Sequence, residues 1–193
     1  MITSKDRSGY FGASDTKYIV GNWKTKAFQN WWLVKLGLIQ NDFENEYTKA
    51  GTNYEHKILE SLGVENLEMD KQIIIDRLRV NLDGNTDKKI YEVKTYNHEK
   101  GFKVSKAYKE QVLVQMYADT KRDAEIVAYG LVESDYKNYF HEIDKERLSF
   151  HKIEYDEDFI ESIYVPRLKY LTMCLKKGLM PKEEEYANQY ERL

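Results

Sequence analysis

The segment 71–95 constrains the fold of this chain more than any other part of it. Residues 71–80 (KQIIIDRLRV) carry β-branched side chains and then alternate apolar with polar ones, which predicts a strand. Turn-forming residues follow in 81–88 (NLDGNTDK), and 89–95 (KIYEVKT) has the composition of a returning strand. The sequence therefore predicts a β-hairpin that carries several charged side chains.

Helical spacing of apolar residues on both sides of the hairpin predicts four helices and one further strand. The helices are expected over 25–38, 52–62, 105–120 and 157–177, the last kinked or broken at Pro166, and the strand over 124–132. In the third helix Tyr108, Val112, Gln115 and Met116 share one face. This order predicts a central mixed β-sheet flanked by helices, an α/β (α+β) fold.

The composition and the absence of linker segments predict one domain over residues 1–193, with a polar C-terminal tail from about residue 181. A chain of 193 residues with 41% hydrophobic content can bury one core, and it contains no repeat or Gly/Ser linker. The single cysteine, Cys174, lies in an apolar helical pattern that indicates a buried thiol in a reducing compartment. No apolar stretch reaches the ~18 residues of a membrane span, so we expect a soluble, cytoplasmic protein without a membrane partner.

The charge distribution is uneven along the chain. The net charge is -3, which argues against a wholly basic surface for nucleic acid. Residues 71–110, however, contain ten Lys or Arg against six Asp or Glu, a net charge of +4. On an ordinary protein such a segment is a solvated lysine-rich face, but here it coincides with the charged hairpin.

Three charged residues of the hairpin form a candidate catalytic centre. Positions i and i+2 of a strand face the same way, so Glu92 and Lys94 project side by side, about 7 Å apart along the backbone. The hairpin brings Asp83 close to both. Two carboxylates at one sheet edge favour a cation between them, and oxygen ligands without His or Cys indicate Mg²⁺, with Mn²⁺ as a substitute. An ammonium beside the metal would offset charge that develops on a phosphoryl oxygen.

Each part of this centre is a weak signal when it stands alone. A Glu-x-Lys tripeptide is more often a paired surface of a strand, and Asp83-Gly84 is a common turn dipeptide. The combination of an Asp at a turn, the apolar-flanked strand 92–94 (EVK) and a following helix with a glutamine is more specific. It is the PD-(D/E)xK pattern of metal-dependent nucleases, which predicts a restriction-endonuclease-like core.

The motifs also resemble, in order along nearly the whole chain, those of the lambda exonuclease or YqaJ-type viral recombinase family of phage nucleases. The matching segments are 7–15 (RSGYFGASD), 50–56 (AGTNYEH), Asp83-Gly84, 92–94 (EVK) and 107–112 (AYKEQV). The chain departs from the family pattern where Thr95 and Tyr96 follow the lysine and where Leu113 interrupts a Gln-x-Gln motif.

The resemblance implies a role for each matched residue. Asp83, Glu92, the Val93 carbonyl and Glu55 would hold one or two Mg²⁺. Lys94 and Gln111 would orient and activate the attacking water.

The resemblance further implies that Arg7 and Ser14 bind the terminal 5′-phosphate. The ordinary interpretations are an untethered terminal arginine for Arg7, a helix cap for Ser14, a solvent-facing side chain for Glu55 and a surface amide for Gln111. The tryptophans are expected in the core, and the four histidines lack metal-ligand spacing.

The function implied is a phage-type DNA exonuclease that degrades one strand of linear duplex DNA from its 5′ end. The resemblance implies double-stranded DNA ends as substrate, a single-strand annealing recombinase as partner, a ring-shaped homotrimer, and a phage or prophage gene in a bacterial host. Two alternatives stay open: a restriction-like or nicking endonuclease, and a non-catalytic DNA-binding module with the same fold. An iron-sulfur nuclease is excluded because such clusters need four cysteine ligands.

Overall fold

The computed structural model describes residues 8–39 and 46–190. Its strands are β1 (Glu68–Ile75), β2 (Leu78–Asn85), β3 (Lys89–Asn97), β4 (Asp123–Leu131) and β5 (Leu148–Ile153). Its α-helices are α1 (Thr16–Ile19), α2 (Lys26–Lys35), α3 (Glu46–Ser61), α4 (Lys106–Asp119), α5 (Glu133–Lys137), α6 (Val165–Lys177) and α7 (Glu183–Tyr190). No helix in these two ranges is long and apolar enough to cross a membrane.

The five strands form one sheet in the order β1-β2-β3-β4-β5. Neighbouring strands are antiparallel except β3 and β4, which run parallel because α4 crosses over between them. The strands are flanked by helices, so the predicted mixed α/β sheet is confirmed. One side of the sheet packs on a core that includes Trp32 and Val114, and the other packs on α3 through Tyr54 and Ile58.

The predicted hairpin is present, but its first half was assigned wrongly. Segment 71–80 is not one strand: it contains the end of β1, a tight turn at Asp76 and Arg77, and the start of β2. Asp76 makes this turn by adopting a left-handed backbone with φ 52. Asp-Arg is not a common turn dipeptide, and the apolar residues on either side of it hide the break. Asp83 consequently lies inside β2, and the turn to β3 spans only 86–88.

Gly84 serves helix packing and not a turn. It is buried in β2 opposite Tyr91, and a Cβ added to it would lie 2.9 Å from Leu59 Cδ2 on α3. The absence of a side chain therefore lets α3 approach the sheet beside Asp83. This close approach brings Glu55, one helical turn before Leu59, toward the strand that carries the candidate aspartate.

The four predicted helices are confirmed: α2, α4 and α6 are shorter than predicted, whereas α3 begins at Glu46 and not at about residue 52. The Thr25 side chain caps α2 by accepting from the Phe28 amide at 3.2 Å, and the three tryptophans are 0–9% exposed, as expected for core residues. Before Pro166 the chain makes a π-helical turn over Phe159–Tyr164, in place of the predicted kink. Strand β5 and helices α5 and α7 lie outside the predicted elements because each is short.

Candidate active site

The centre of the site is a fork between β2 and β3. The two strands pair only at Gly84–Tyr91 and Asn85–Ile90, and they separate beyond Asp83. Separation would leave the Val93 amide without a strand partner, but Asp83 Oδ2 accepts its hydrogen at 2.8 Å. The aspartate is thus fixed by the backbone of the strand that carries Glu92 and Lys94.

The Glu92 carboxylate is the hub of the polar contacts. Its side chain is 3% exposed, and Oε1 accepts hydrogen bonds from Lys94 Nζ at 2.6 Å and Gln111 Nε2 at 2.5 Å. Lys94 Nζ also donates to Gln111 Oε1 at 3.2 Å and lies 5.0 Å from the centre of the Tyr108 ring. Glu92, Lys94 and Gln111 are therefore brought together as the sequence predicts.

A second glutamine, Gln115, completes this network and was missed as a site residue. Its Nε2 donates to Glu92 Oε2 at 2.5 Å. Gln115 follows Gln111 by one helical turn, so both face the sheet from α4. The four-residue spacing was the available signal, but the apolar neighbours of Gln115 made it resemble a core position.

Lys94 is held in its charged form. Desolvation, the largest influence, lowers the pKa of Lys94, but the negative charge of Glu92, its hydrogen bond and the charge of Asp83 outweigh it. The pKa of Lys94 is therefore raised above its ordinary value. An ammonium at this position can donate hydrogen bonds and stabilise negative charge, but it does not act as a base.

The ionised forms of Asp83 and Glu55, unlike the charged form of Lys94, are disfavoured by their surroundings, because other carboxylates lie nearby. Burial, followed by the charges of Glu92 and Glu55, raises the pKa of Asp83 well above its ordinary value. Burial and the charge of Glu92 likewise raise the pKa of Glu55. Two carboxyls whose ionised forms are disfavoured in this way, beside a third carboxylate, are suited to a cation of high charge density.

Glu55 also belongs to a cluster that the sequence did not indicate. One ligand atom from each of Glu55, His56 and Asp70 lies within 4.8 Å of the others, and His56 Nε2 is 3.0 Å from Asp70 Oδ2. Asp70 lies between the two β1 residues that pair with β2 on either side of Asp83, and it has a left-handed φ of 59. A residue in that conformation inside a strand has no signature in the sequence, and His56 was assigned no role.

A cavity of about 290 Å³ opens in front of these residues. Glu55, Asp70, Asp83 and Gln111 line it together with the segment 10–15. That segment includes Ser14, which is exposed. The cavity therefore connects the carboxylates with the position at which the resemblance places the terminal phosphate.

The helix cap expected at Ser14 is not made: Ser14 lies inside the short 3-10 turn Ala13–Asp15, where Asp15 Oδ2 accepts from the Gly12 amide at 2.8 Å, and no side chain among the described residues caps the start of α1. Asp15 is also buried against Lys35 at 2.6 Å, which fixes the segment to α2. Arg79 lines the same cavity, and its guanidinium lies 5.4 Å from the centre of the Tyr10 ring. Arg7, the other phosphate-binding candidate, lies outside the described residues.

The donor set fits a magnesium or manganese ion. Asp83, Glu55 and Glu92 supply oxygen, the donor that these ions prefer, and the raised pKa values of Asp83 and Glu55 indicate that the folded protein gains by placing positive charge there. Bound here, such an ion would polarise a phosphoryl oxygen and supply hydroxide near neutral pH. The contact between Val93 and Asp83 is made by the Val93 amide. The Val93 carbonyl therefore stays a predicted metal ligand.

The chain has the architecture of solved exonucleases. The sequence matches no protein-family description, and it has no match among curated proteins. The fold is similar to that of an alkaline exonuclease (LHK-Exo) from Laribacter hongkongensis, with a TM-score of 0.65 and 19% identity over 89% of this chain and 94% of that one. It is also similar to a phage-related exonuclease from Haemophilus somnus 129PT, with a TM-score of 0.58 and 18% identity over 88% and 96%.

These likenesses confirm the predicted fold. A second structure of LHK-Exo, in complex with dAMP, has a TM-score of 0.63 and 20% identity over 90% of this chain and 95% of that one. The resemblance to phage nucleases in the sequence motifs is therefore confirmed at the level of the fold.

Proposed function

We propose that this protein is a Mg²⁺-dependent DNA exonuclease that hydrolyses phosphodiester bonds of linear duplex DNA, in the 5′→3′ direction. The observation that carries the proposal is the Glu92 carboxylate held by Lys94 and Gln111, beside an aspartate tied to the same strand. Structural similarity to exonucleases adds support at the level of the fold. One of these, LHK-Exo, binds dAMP, which is the chemical class of product that an exonuclease releases.

In this proposal the residues of the chain divide the work between binding and charge stabilisation. Asp83, Glu92, Glu55 and the Val93 carbonyl hold the metal. Lys94 keeps its proton and donates to the phosphoryl oxygen on which negative charge develops. Gln111 reaches both Glu92 and Lys94, so it can orient the attacking water between them.

Digestion of duplex DNA tests the reaction class. We expect linear duplex labelled at both ends to be degraded only with Mg²⁺ or Mn²⁺, with the 5′-labelled nucleotide released first. Covalently closed circular duplex should stay intact, because an exonuclease requires an end.

Each other outcome supports a different function. Cleavage of the closed circle would establish a restriction-like or nicking endonuclease. Binding of both DNA forms without cleavage in any divalent metal would establish a non-catalytic module. Early release of a 3′ label would overturn the polarity and leave the nuclease assignment in place.

The 5′-phosphate is the feature of the DNA end that we expect Arg7 and Ser14 to recognise. Charge-assisted hydrogen bonds contribute about 1.5–3 kcal/mol, which corresponds to a rate ratio of roughly ten to a hundred between phosphorylated and unphosphorylated 5′ ends. Arg7→Ala should remove most of this ratio by slowing attack on phosphorylated ends. Initial rates on two duplexes that differ only in the 5′ group measure it.

A matched control for this experiment is Arg122→Ala. Arg122 is exposed, stacks on Tyr155 at 3.8 Å and does not line the cavity. It should leave the ratio unchanged. Equal rates on both ends in the unmodified protein would contradict the phosphate pocket without contradicting the nuclease.

The proposal extends to assembly and biological setting. We propose that the enzyme comes from a phage or prophage, acts as a homotrimer around DNA, and passes its single-stranded product to an annealing recombinase. Light scattering of the purified protein, alone and with duplex, measures the number of chains in the assembly. A monomer in both conditions would contradict the ring.

A further inference from the structure

Gln115 is a polar residue at a buried position of α4 that is surrounded by apolar neighbours in the chain. It is 1% exposed, and its neighbours along α4, Val114 and Met116, are fully buried. Its Oε1 is buried without a hydrogen-bond partner among the described residues. An unpaired amide oxygen in the core is unfavourable for folding, so an unbranched apolar side chain of similar length would suit this position better.

The other end of the same amide explains why a glutamine fits. Nε2 donates to Glu92 Oε2 at 2.5 Å and lies 3.5 Å from the Asn81 carbonyl oxygen. Asn81 belongs to β2 and Glu92 to β3, and these strands no longer pair at this level. Gln115 therefore spans the fork between the strand of Asp83 and the strand of Glu92.

The contact of Gln115 differs from those of the other donors to Glu92. Lys94 and Gln111 both bond to Oε1, whereas Gln115 is the side-chain donor found at Oε2 in the described ranges. Donors on one oxygen alone constrain rotation of the carboxylate about its Cγ–Cδ bond less than donors on both oxygens do. A donor on the second oxygen fixes the plane of the group.

We infer that Gln115 is a positioning residue that fixes the Glu92 carboxylate and thereby sets the affinity of the site for its divalent metal. This inference rests on the proposed function, because it needs a metal at Glu92. Groups that orient a metal ligand from behind change metal affinity or activity by about 10–100-fold when they are removed. Gln115 itself contacts neither the DNA nor the reacting atoms.

The test is Gln115→Met, which keeps the length of the side chain and removes the amide. Calorimetry without DNA should give a dissociation constant for Mg²⁺, or for Mn²⁺, that is about 10–100-fold higher than in the unmodified protein. The Mg²⁺ concentration that half-activates DNA cleavage should rise by the same factor. Excess Mg²⁺ should restore the rate to within a few-fold.

Thermal unfolding in the presence of a chelator separates positioning from a purely structural role. With no metal present, Gln115→Met removes a buried unpaired oxygen but also the donor to Glu92 Oε2, so the two effects oppose each other and we expect a melting temperature within a few degrees of that of the unmodified protein. Met116→Leu is the matched control, since it alters the same buried helix without touching a carboxylate. It should leave the metal affinity unchanged.

Unchanged Mg²⁺ affinity in folded Gln115→Met would overturn the inference. Gln115→Leu repeats the test with a branched apolar side chain. Failure of both variants to fold would also overturn it, because the amide would then be needed for the structure itself. If the unmodified protein binds no Mg²⁺ and cleaves no DNA, the proposed function fails instead, so the two failures are distinguishable.

Discussion

Replacing Lys94 by Ala is expected to lower the rate of the chemical step by a factor of about 100 or more, while DNA binding stays nearly unchanged. The reason is that Lys94 is charged and bonded to Glu92 and Gln111, where the proposed mechanism places the reacting phosphate. Such a cation stabilises charge that exists mainly in the transition state. Single-turnover cleavage of a labelled duplex, with binding measured in Ca²⁺, separates the two effects.

Lys89→Ala is the matched control for this experiment. Lys89 lies on the same strand, β3, but its ammonium pairs with Glu125 at 2.8 Å and not with Glu92. Its loss removes the same charge from the protein and should change the rate by less than a factor of about three, as expected for a partly exposed ion pair. Near-normal turnover in Lys94→Ala would exclude the proposed site.

The sequence predicts the strand that carries Glu92 and Lys94 of the candidate site because its geometry is local. Glu92 and Lys94 share a face in any strand, and that face is the one observed, since the two side chains bond to each other at 2.6 Å. Gln111 follows from the resemblance of the segment 107–112 to the motif of the phage nucleases. What the sequence could not give is the fork between β2 and β3, because strand separation depends on how α4 fills the gap between them.

The sequence therefore does not indicate residues that contact the candidate site across this gap or from an irregular backbone conformation. Gln115 lies on the face of α4 that the sequence assigns to the core, and only the packed structure shows that the partner there is a carboxylate. Asp70 comes near the site through a left-handed conformation within β1, which local patterns do not encode. The turn predicted at Asp83-Gly84 is wrong for a different reason. The glycine is needed there because a Cβ would collide with Leu59 of the helix packed on the strand.

Replacing Asp83 by Asn is expected to abolish Mg²⁺-supported cleavage, a loss of about 1000-fold or more, because it removes a charged ligand from the metal. The same change should raise the melting temperature when metal is removed by a chelator. Asparagine keeps an oxygen that can accept the Val93 amide hydrogen, so the fork between the strands is preserved. Initial rates of DNA cleavage measure the first effect, and calorimetry with Mg²⁺ tests its cause, because undiminished Mg²⁺ binding would remove Asp83 from the ligand set.

The gain in stability should depend on pH in a defined direction. Burial, together with the charges of Glu92 and Glu55, raises the pKa of Asp83 in the folded protein, so the folded state binds this proton more tightly than the unfolded chain. Its contribution to stability is complete below the ordinary carboxyl pKa and is lost as the pH rises through the raised pKa. An asparagine side chain cannot be ionised, so Asp83→Asn should stabilise the metal-free protein most at neutral pH and not at all in acid.

Thermal unfolding in a chelator at several pH values measures this difference between Asp83→Asn and the unmodified protein. We expect a few degrees at neutral pH, because about 1 kcal/mol shifts the melting temperature of a chain of this size by roughly 2–4 °C. Asp87→Asn, at an exposed position in the turn between β2 and β3, is the control and should show no such trend. Mg²⁺ should reverse the order by stabilising only the protein that retains Asp83, and a variant that gains equally from Mg²⁺ would show that the metal binds elsewhere.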